Sequence, residues 1–136
     1  MKTKQKDIYV YPVIFRNEGE KGIAILVPDL DAATCAETEE KAFLAARELI
    51  SITIMGLEED GEEIPPASSV SEIALEKNDT VSLIDVFMPA VRLANRNKAV
   101  NRTVTLPAWL NAKALEYNIN FSQLLQEAIK KELHLS

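Results

Sequence analysis

Cysteine and histidine each occur once, as Cys35 and His134. A disulfide within the chain is therefore excluded, and no Cys/His cluster with zinc-ligand spacing can be assembled. Cys35 is expected to be a small packing residue, and His134 a solvent-exposed one in a frayed tail. Long apolar runs are also missing, since none approaches the roughly 18 residues that mark a membrane-spanning helix. The opening MKTKQKDIYVYPVIF sets lysines ahead of an apolar stretch, but Asp7 and Pro12 interrupt it and no small-residue cleavage site follows. No secretory leader is expected, and the chain reads as soluble and cytoplasmic, with no membrane, metal or cofactor partner. The 136 residues are 47% hydrophobic, enough to bury a core in one domain or in two small ones.

Charge of one sign is scarce in each part of the chain, and not the same sign. Residues 1–90 hold 18 Asp/Glu against 8 Lys/Arg, a balance of −10, whereas residues 91–136 hold 3 against 7, a balance of +4. An acidic body with a basic tail implies partners of opposite charge, nucleic acid being the usual partner of the basic part.

IYVYPVIF (Ile8 to Phe15) and GIAILVPD (Gly22 to Asp29) are rich in β-branched and aromatic residues, and RNEGEKG between them supplies a turn. They predict a hairpin. After a short irregular stretch, Thr38 is placed to cap a helix, with Glu39 and Glu40 at the positive end of its dipole. Ala42, Ala46, Leu49, Ile50, Thr53, Ile54 and Leu57 then recur at helical spacing, so one long amphipathic helix is predicted, ending near Gly56 to Gly61. EEDGEEIPPASSVSE reads as a polar loop, and TVSLIDVFM (Thr80 to Met88) as a third strand. The expectation for residues 1–88 is a small ββαβ sandwich of the α+β class. Residues 89–99 read as a linker or short helical connection.

The segment NRTVTLPAWL poses a sharper problem, because it predicts one isolated strand. Residues two apart on a strand share a face. Val100, Val104 and Leu106 therefore lie on one side, and Asn101, Thr103 and Thr105 on the other. Pro107 is suited to the first turn of a helix carrying Trp109, Leu110, Ala114 and Leu115. Asn118 can end that helix in the left-handed conformation, and Asn120 can cap a second one. The second helix bears Phe121, Leu124, Leu125, Ala128, Ile129 and Leu133 as one stripe. Residues 100–136 cannot cover these faces alone, so the strand needs a partner, and the simplest is the same strand of a second copy. Two such strands form an antiparallel ribbon that fits the DNA major groove, with Asn101, Thr103 and Thr105 facing base edges. Lys98, Arg102, Asn120 and Ser122 are then candidates for phosphate contacts, the last two at a helix N-terminus. Val104, Leu106, Leu110, Phe121, Leu124, Leu125, Ala128 and Ile129 would form the dimer core.

This pattern resembles the ribbon-helix-helix family of bacterial DNA-binding proteins. The wider order PVIFRNEGEKGIAILVPDL, TEEKAFLAARELI, DGEEIPPAS, VSLIDVFM and NRTVTLPAWLNAKALEYNINFSQLLQEAIKKEL is similar to the HicB family of toxin–antitoxin antitoxins over nearly the whole chain. The resemblance implies a partial RNase-H-like N-terminal domain that binds and blocks a HicA-type RNA-cleaving toxin. It also implies a C-terminal domain that represses the shared operon, a homodimer through that domain, and no enzyme activity; a higher oligomer through the N-terminal domain is left open, and the toxin-binding residues are unassigned. Two positions depart from the family pattern: Asp31 and Ala32 stand where many relatives have a Pro-Gly turn, and Asn118 stands where glycine is frequent. The RNase-H-like likeness directs attention to Asp29, Asp31 and Asp85 as metal-binding carboxylates of a nuclease. A metal-dependent nuclease, a stand-alone ribbon-helix-helix regulator and an acidic adaptor without a toxin are the alternatives.

Overall fold

The run IYVYPVIFRN forms β1 (Ile8–Asn17) in the computed structural model, which describes residues 5–135. A turn through Gly19–Lys21 leads into β2 (Ile23–Val27), paired antiparallel to β1 from Ile14↔Leu26 to Asn17↔Ile23. The turn needs glycine at Gly22: its φ is +94°, and a Cβ there would stand 2.6 Å from the Ala36 carbonyl oxygen. A third strand, β3 (Ala32–Ala36), follows where an irregular stretch was expected. Its sequence, AATCA, carries almost no strand signal, and its conformation comes from pairing with β2 between Ile23↔Ala36 and Val27↔Ala32. Asp31 makes the reversal in the left-handed region, φ 50° and ψ 45°, which aspartate tolerates better than most residues.

β4 (Asp79–Phe87) returns along the other side of β1, from Ile8↔Phe87 to Arg16↔Asp79, giving an antiparallel sheet in the order β3-β2-β1-β4. Pro12 is tolerated within β1 because the β2 ladder begins only at Ile14, so at Pro12 the strand has β4 alone as neighbour. Across one face lies α1 (Glu39–Glu59), started by Thr38, whose hydroxyl accepts the Lys41 N–H at 3.2 Å. Ala42, Ala46, Ile50 and Ile54 are buried against Tyr11, Val13, Ile25, Val27, Ile84, Val86 and Met88. The two alanines let the start of the helix approach the sheet closely. Cys35, expected as a packing residue, is exposed: it lies on the edge strand and, with Ala33, on the face turned away from α1.

The polar loop after α1 is tied down at two points. The Tyr11 hydroxyl donates to the Pro65 carbonyl at 2.6 Å, and Asp29 accepts from both the N–H and the hydroxyl of Ser68 at 2.9 and 2.6 Å. Burial pushes the Tyr11 hydroxyl up to about 12, with the nearby Tyr9 and Asp29 adding to the effect.

Most of the segment 89–99 is a helix, α2 (Met88–Arg96), with Pro89 in its first turn. Arg92 grips the Glu58 carboxylate with Nη2 at 2.7 Å and Nε at 3.0 Å, and reaches the Lys6 carbonyl at 2.7 Å. The Glu58 side chain is only 4% exposed. Asn95 donates to Glu59 at 2.8 Å, so α2 is fastened to the end of α1. Two compact units result, Met1–Lys98 and Ala99–Ser136. Dividing the charge at that boundary moves Arg92, Arg96 and Lys98 into the first unit, giving −7 and +1 in place of −10 and +4. The second unit contains α3 (Ala108–Glu116) and α4 (Phe121–Glu132). No helix among the described residues is long and apolar enough to cross a membrane.

Two stability tests follow. Arg92→Ala leaves an enclosed carboxylate at Glu58 without its partner and should cost about 1.5–3 kcal/mol in urea unfolding; a change below about 0.5 kcal/mol would show that α2 is not anchored by this pair. Because the folded-state value of Tyr11 is raised, its contribution is complete below the unfolded value of 10 and is lost as pH rises towards about 12. Tyr11→Phe should flatten that alkaline loss while costing about 0.5–1.5 kcal/mol at neutral pH, as read from melting curves between pH 7 and 12.

Candidate protein and nucleic-acid interfaces

Residues 100–106, read as a strand from their alternation, pair with no other described segment and form no strand. Asn101, Arg102, Thr103 and Thr105 are exposed, as is Lys98 at the end of the first unit. Pro107 occupies the N-cap of α3, one residue earlier than expected, with φ −57° and ψ 143°. It contributes a carbonyl that accepts the Asn111 N–H at 3.0 Å. Asn118 takes the left-handed conformation, φ 54°, and the N–H groups of Asn118 and Ile119 return to the Leu115 and Ala114 carbonyls at 3.1 and 3.0 Å. The chain thereby reverses into α4, where the Asn120 side chain accepts the Gln123 N–H at 3.1 Å. Asn120 is thus committed to capping. Phe121 and Ser122 retain the outward first-turn N–H groups typical of a helix start.

Among the described residues after Lys98, only Ala114 is partly buried and none is fully buried. Val104, Leu106, Leu110, Phe121, Leu124, Leu125 and Ile129 are between 38% and 57% exposed, and Ala128 is exposed as well. Val104, Thr105 and Leu106 meet Ala108 and Asn111 around a shallow groove of about 400 Å³. The apolar stripe of α4 and the apolar side of the 100–106 segment thus remain open to whatever covers them.

The first unit does not gather the three suspected aspartates into a metal centre. Both Asp29 oxygens accept from Ser68, Asp31 forms a turn, and Asp85 Oδ1 accepts from Arg47 at 2.8 Å. No group of three or more His, Cys, Asp or Glu residues placed to hold a metal ion occurs among the described residues. A second carboxylate is neutralised at the opposite end of the sheet. Arg16 holds Asp79 at 2.8 Å, and this bond, with a further one from the Glu76 N–H, keeps the Asp79 carboxyl below the usual aspartate range. Beside that pair, an open groove of about 480 Å³ has Phe15, Ile23, Ala42 and Phe43 as its apolar lining.

The family model of the HicB-like antitoxins of bacterial toxin–antitoxin systems matches residues 11–131, from within β1 to within α4. The chain belongs to the HicB-like antitoxin family. A protein of Haemophilus phage HP1 (strain HP1c1), described as an uncharacterized 14.9 kDa protein in the rep-hol intergenic region, is 30% identical over 105 residues, covering 74% of this chain and 75% of its own length. A solved chain from a toxin–antitoxin complex of Streptococcus pneumoniae shares the fold with a TM-score of 0.60 at 23% identity, covering 92% of this antitoxin and 99% of that chain.

Two features of this antitoxin go beyond what its sequence specifies. Residues 89–99, read as a linker or a short helical connection, are mostly the helix α2, whose Arg92 and Asn95, at i and i+3, lie on one helical face. The second is the sheet face opposite α1, where Ile8, Val10, Leu83 and Phe87 are exposed. Its signal was present, because VSLIDVF is apolar at both parities of the alternation.

The Asn120 cap can be separated from a phosphate contact at the same residue. Asn120→Ala should destabilise the protein by about 0.5–2 kcal/mol, whereas Asn120→Asp, which preserves the cap, should leave thermal melting unchanged. Equal melting of the wild type and the alanine variant would remove the capping role.

Proposed function

We propose that this protein is a non-catalytic antitoxin and autorepressor. Its first unit neutralises a HicA-type RNA-cleaving toxin, and its second unit represses the shared operon as a two-fold ribbon-helix-helix dimer. Family membership supports the toxin partner, and so does the shared fold with a chain taken from a toxin–antitoxin complex. The first unit, at −7, attracts a basic toxin, and covering the toxin's RNA-binding surface is sufficient to block it.

One observation carries the repressor half of the reading. The second unit has a helix pair with well-formed ends, yet no buried residue among those described, and a segment whose apolar residues alternate with Asn101, Thr103 and Thr105. Pairing that segment with its copy gives its backbone a ladder and gives Val104, Leu106, Leu110, Phe121, Leu124, Leu125, Ala128 and Ile129 a core. Asn101, Thr103 and Thr105 then face the major groove, asparagine reading adenine and threonine reaching polar groups or the thymine methyl. Lys98, Arg102 and the start of α4 at Ser122 meet phosphates.

The two faces of the ribbon should respond differently to substitution. A Thr103→Ala/Thr105→Ala double variant is expected to remain dimeric and lose about 1–3 kcal/mol of operator affinity for each base contact removed. Val104→Asp buries an unpaired charge and should abolish the dimer together with DNA binding. Arg102→Ala should weaken operator and random duplex alike and reduce the log–log salt slope by about one. Sedimentation and duplex titration across a salt series provide the measurement. Retained operator preference in the double threonine variant would reduce those threonines to solubilising residues.

A further inference from the structure

α1 covers one face of the sheet only. Alternation along β1 and β4 directs Tyr9, Tyr11, Val13, Ile84 and Val86 to the α1 side. The register Ile8↔Phe87, Val10↔Asp85 and Pro12↔Leu83 sets the remaining side chains next to one another on the opposite face. Further along that face Pro12 and Ile14 are buried, but at its near end Ile8 is 54% exposed, Val10 42%, Leu83 55% and Phe87 56%. Four large apolar side chains on two paired strands form a contiguous patch, a feature that marks interaction surfaces in soluble proteins. Asp85 lies within it.

The geometry points to this patch as the docking surface for a cationic protein, whose apolar side chains cover Ile8, Val10, Leu83 and Phe87 while a lysine or arginine meets Asp85. The approach must be face-on. At the free edge of β4, Arg47 Nε donates to the Asp85 carbonyl at 2.9 Å and Nη2 donates to Oδ1 at 2.8 Å, so a side chain occupies the position that an added strand would need. The Asp85 side chain nevertheless remains 65% exposed and can accept a further donor. Charge selects the occupant. The unit bearing the patch stands at −7, so stacking a second copy on it would oppose two units of like charge. A cationic partner gains where a second copy loses. This inference rests on the toxin-neutralising reading and supplies the contact surface that the reading leaves unassigned.

The test uses this chain and a small basic HicA-type toxin, with affinity measured by calorimetry and operator binding and melting temperature as controls. Leu83→Lys/Phe87→Lys should lower toxin affinity at least 100-fold with both controls unchanged, since both positions are more than half exposed. Leu83→Ser/Phe87→Ser, which removes apolar area without adding charge, should lower it at least tenfold and serves if the lysine pair fails to fold. Asp85→Asn should flatten the salt dependence of toxin binding. Wild-type affinity in the folded double variants would overturn the docking surface while leaving the toxin-neutralising reading intact. Absence of toxin binding by the wild type would overturn both. Loss of an oligomer of the antitoxin alone in the double variants, with toxin affinity retained, would assign the patch to a second copy instead.

Discussion

Eleven large apolar side chains from Val104 to Ile129 are left exposed by their own unit, and this deficit governs how the molecule can work. Fewer than forty residues arranged as a segment and two helices lack the volume to enclose a core. Secondary structure forms there because the ends are well specified, by Pro107, Asn118 and Asn120, but tertiary stability has to come from another surface. A two-fold copy satisfies apolar area and backbone hydrogen bonding together. In that reading the DNA-reading surface exists only as a consequence of dimerisation.

The first unit solves its own packing problem and leaves a different one. Ala42 and Ala46 bring α1 close to the sheet, and Ile50 and Ile54 join the same core as Ile84, Val86 and Met88. Tyr11 and Asp29 then hold the acidic loop, and Arg92 closes the unit by locking α2 onto Glu58. These polar bonds all lie where the chain leaves regular structure, and they keep the long loop and the exit helix in fixed positions. The opposite face of the sheet receives no helix, and its apolar end stays open beside an arginine-blocked edge. This antitoxin thus presents apolar surfaces of different character in its two units: a helical stripe with a neighbouring segment in one, a flat pleated patch within an acidic unit in the other.

How much of this was legible depended on whether the signal was local. Thr38, Asn118 and Asn120 were readable as helix ends because a cap is a contact between residues a few positions apart. The α1 stripe and strands β1, β2 and β4 were readable from periodicity. β3 was not, since AATCA becomes a strand by pairing with β2 and not by its own preference. Cys35 was misplaced for the same reason: its exposure follows from lying on an edge strand, which no local pattern announces.

By itself the sequence determined β1, β2, α1, β4, α3 and α4 in their order, the caps at Thr38, Asn118 and Asn120, the alternation of Asn101, Thr103 and Thr105 with apolar residues, and the likeness to HicB antitoxins. Those properties depend on neighbours along the chain. The tertiary structure alone decided that α2 belongs to the first unit, that Asp29 and Asp85 are engaged by Ser68 and Arg47, and that Ile8, Val10, Leu83 and Phe87 share one open face. Each of these joins residues some forty to eighty positions apart, apart from Arg92 with Glu58, which are separated by 34. Such a pairing is fixed by strand register and helix packing, and neither can be read from composition or period.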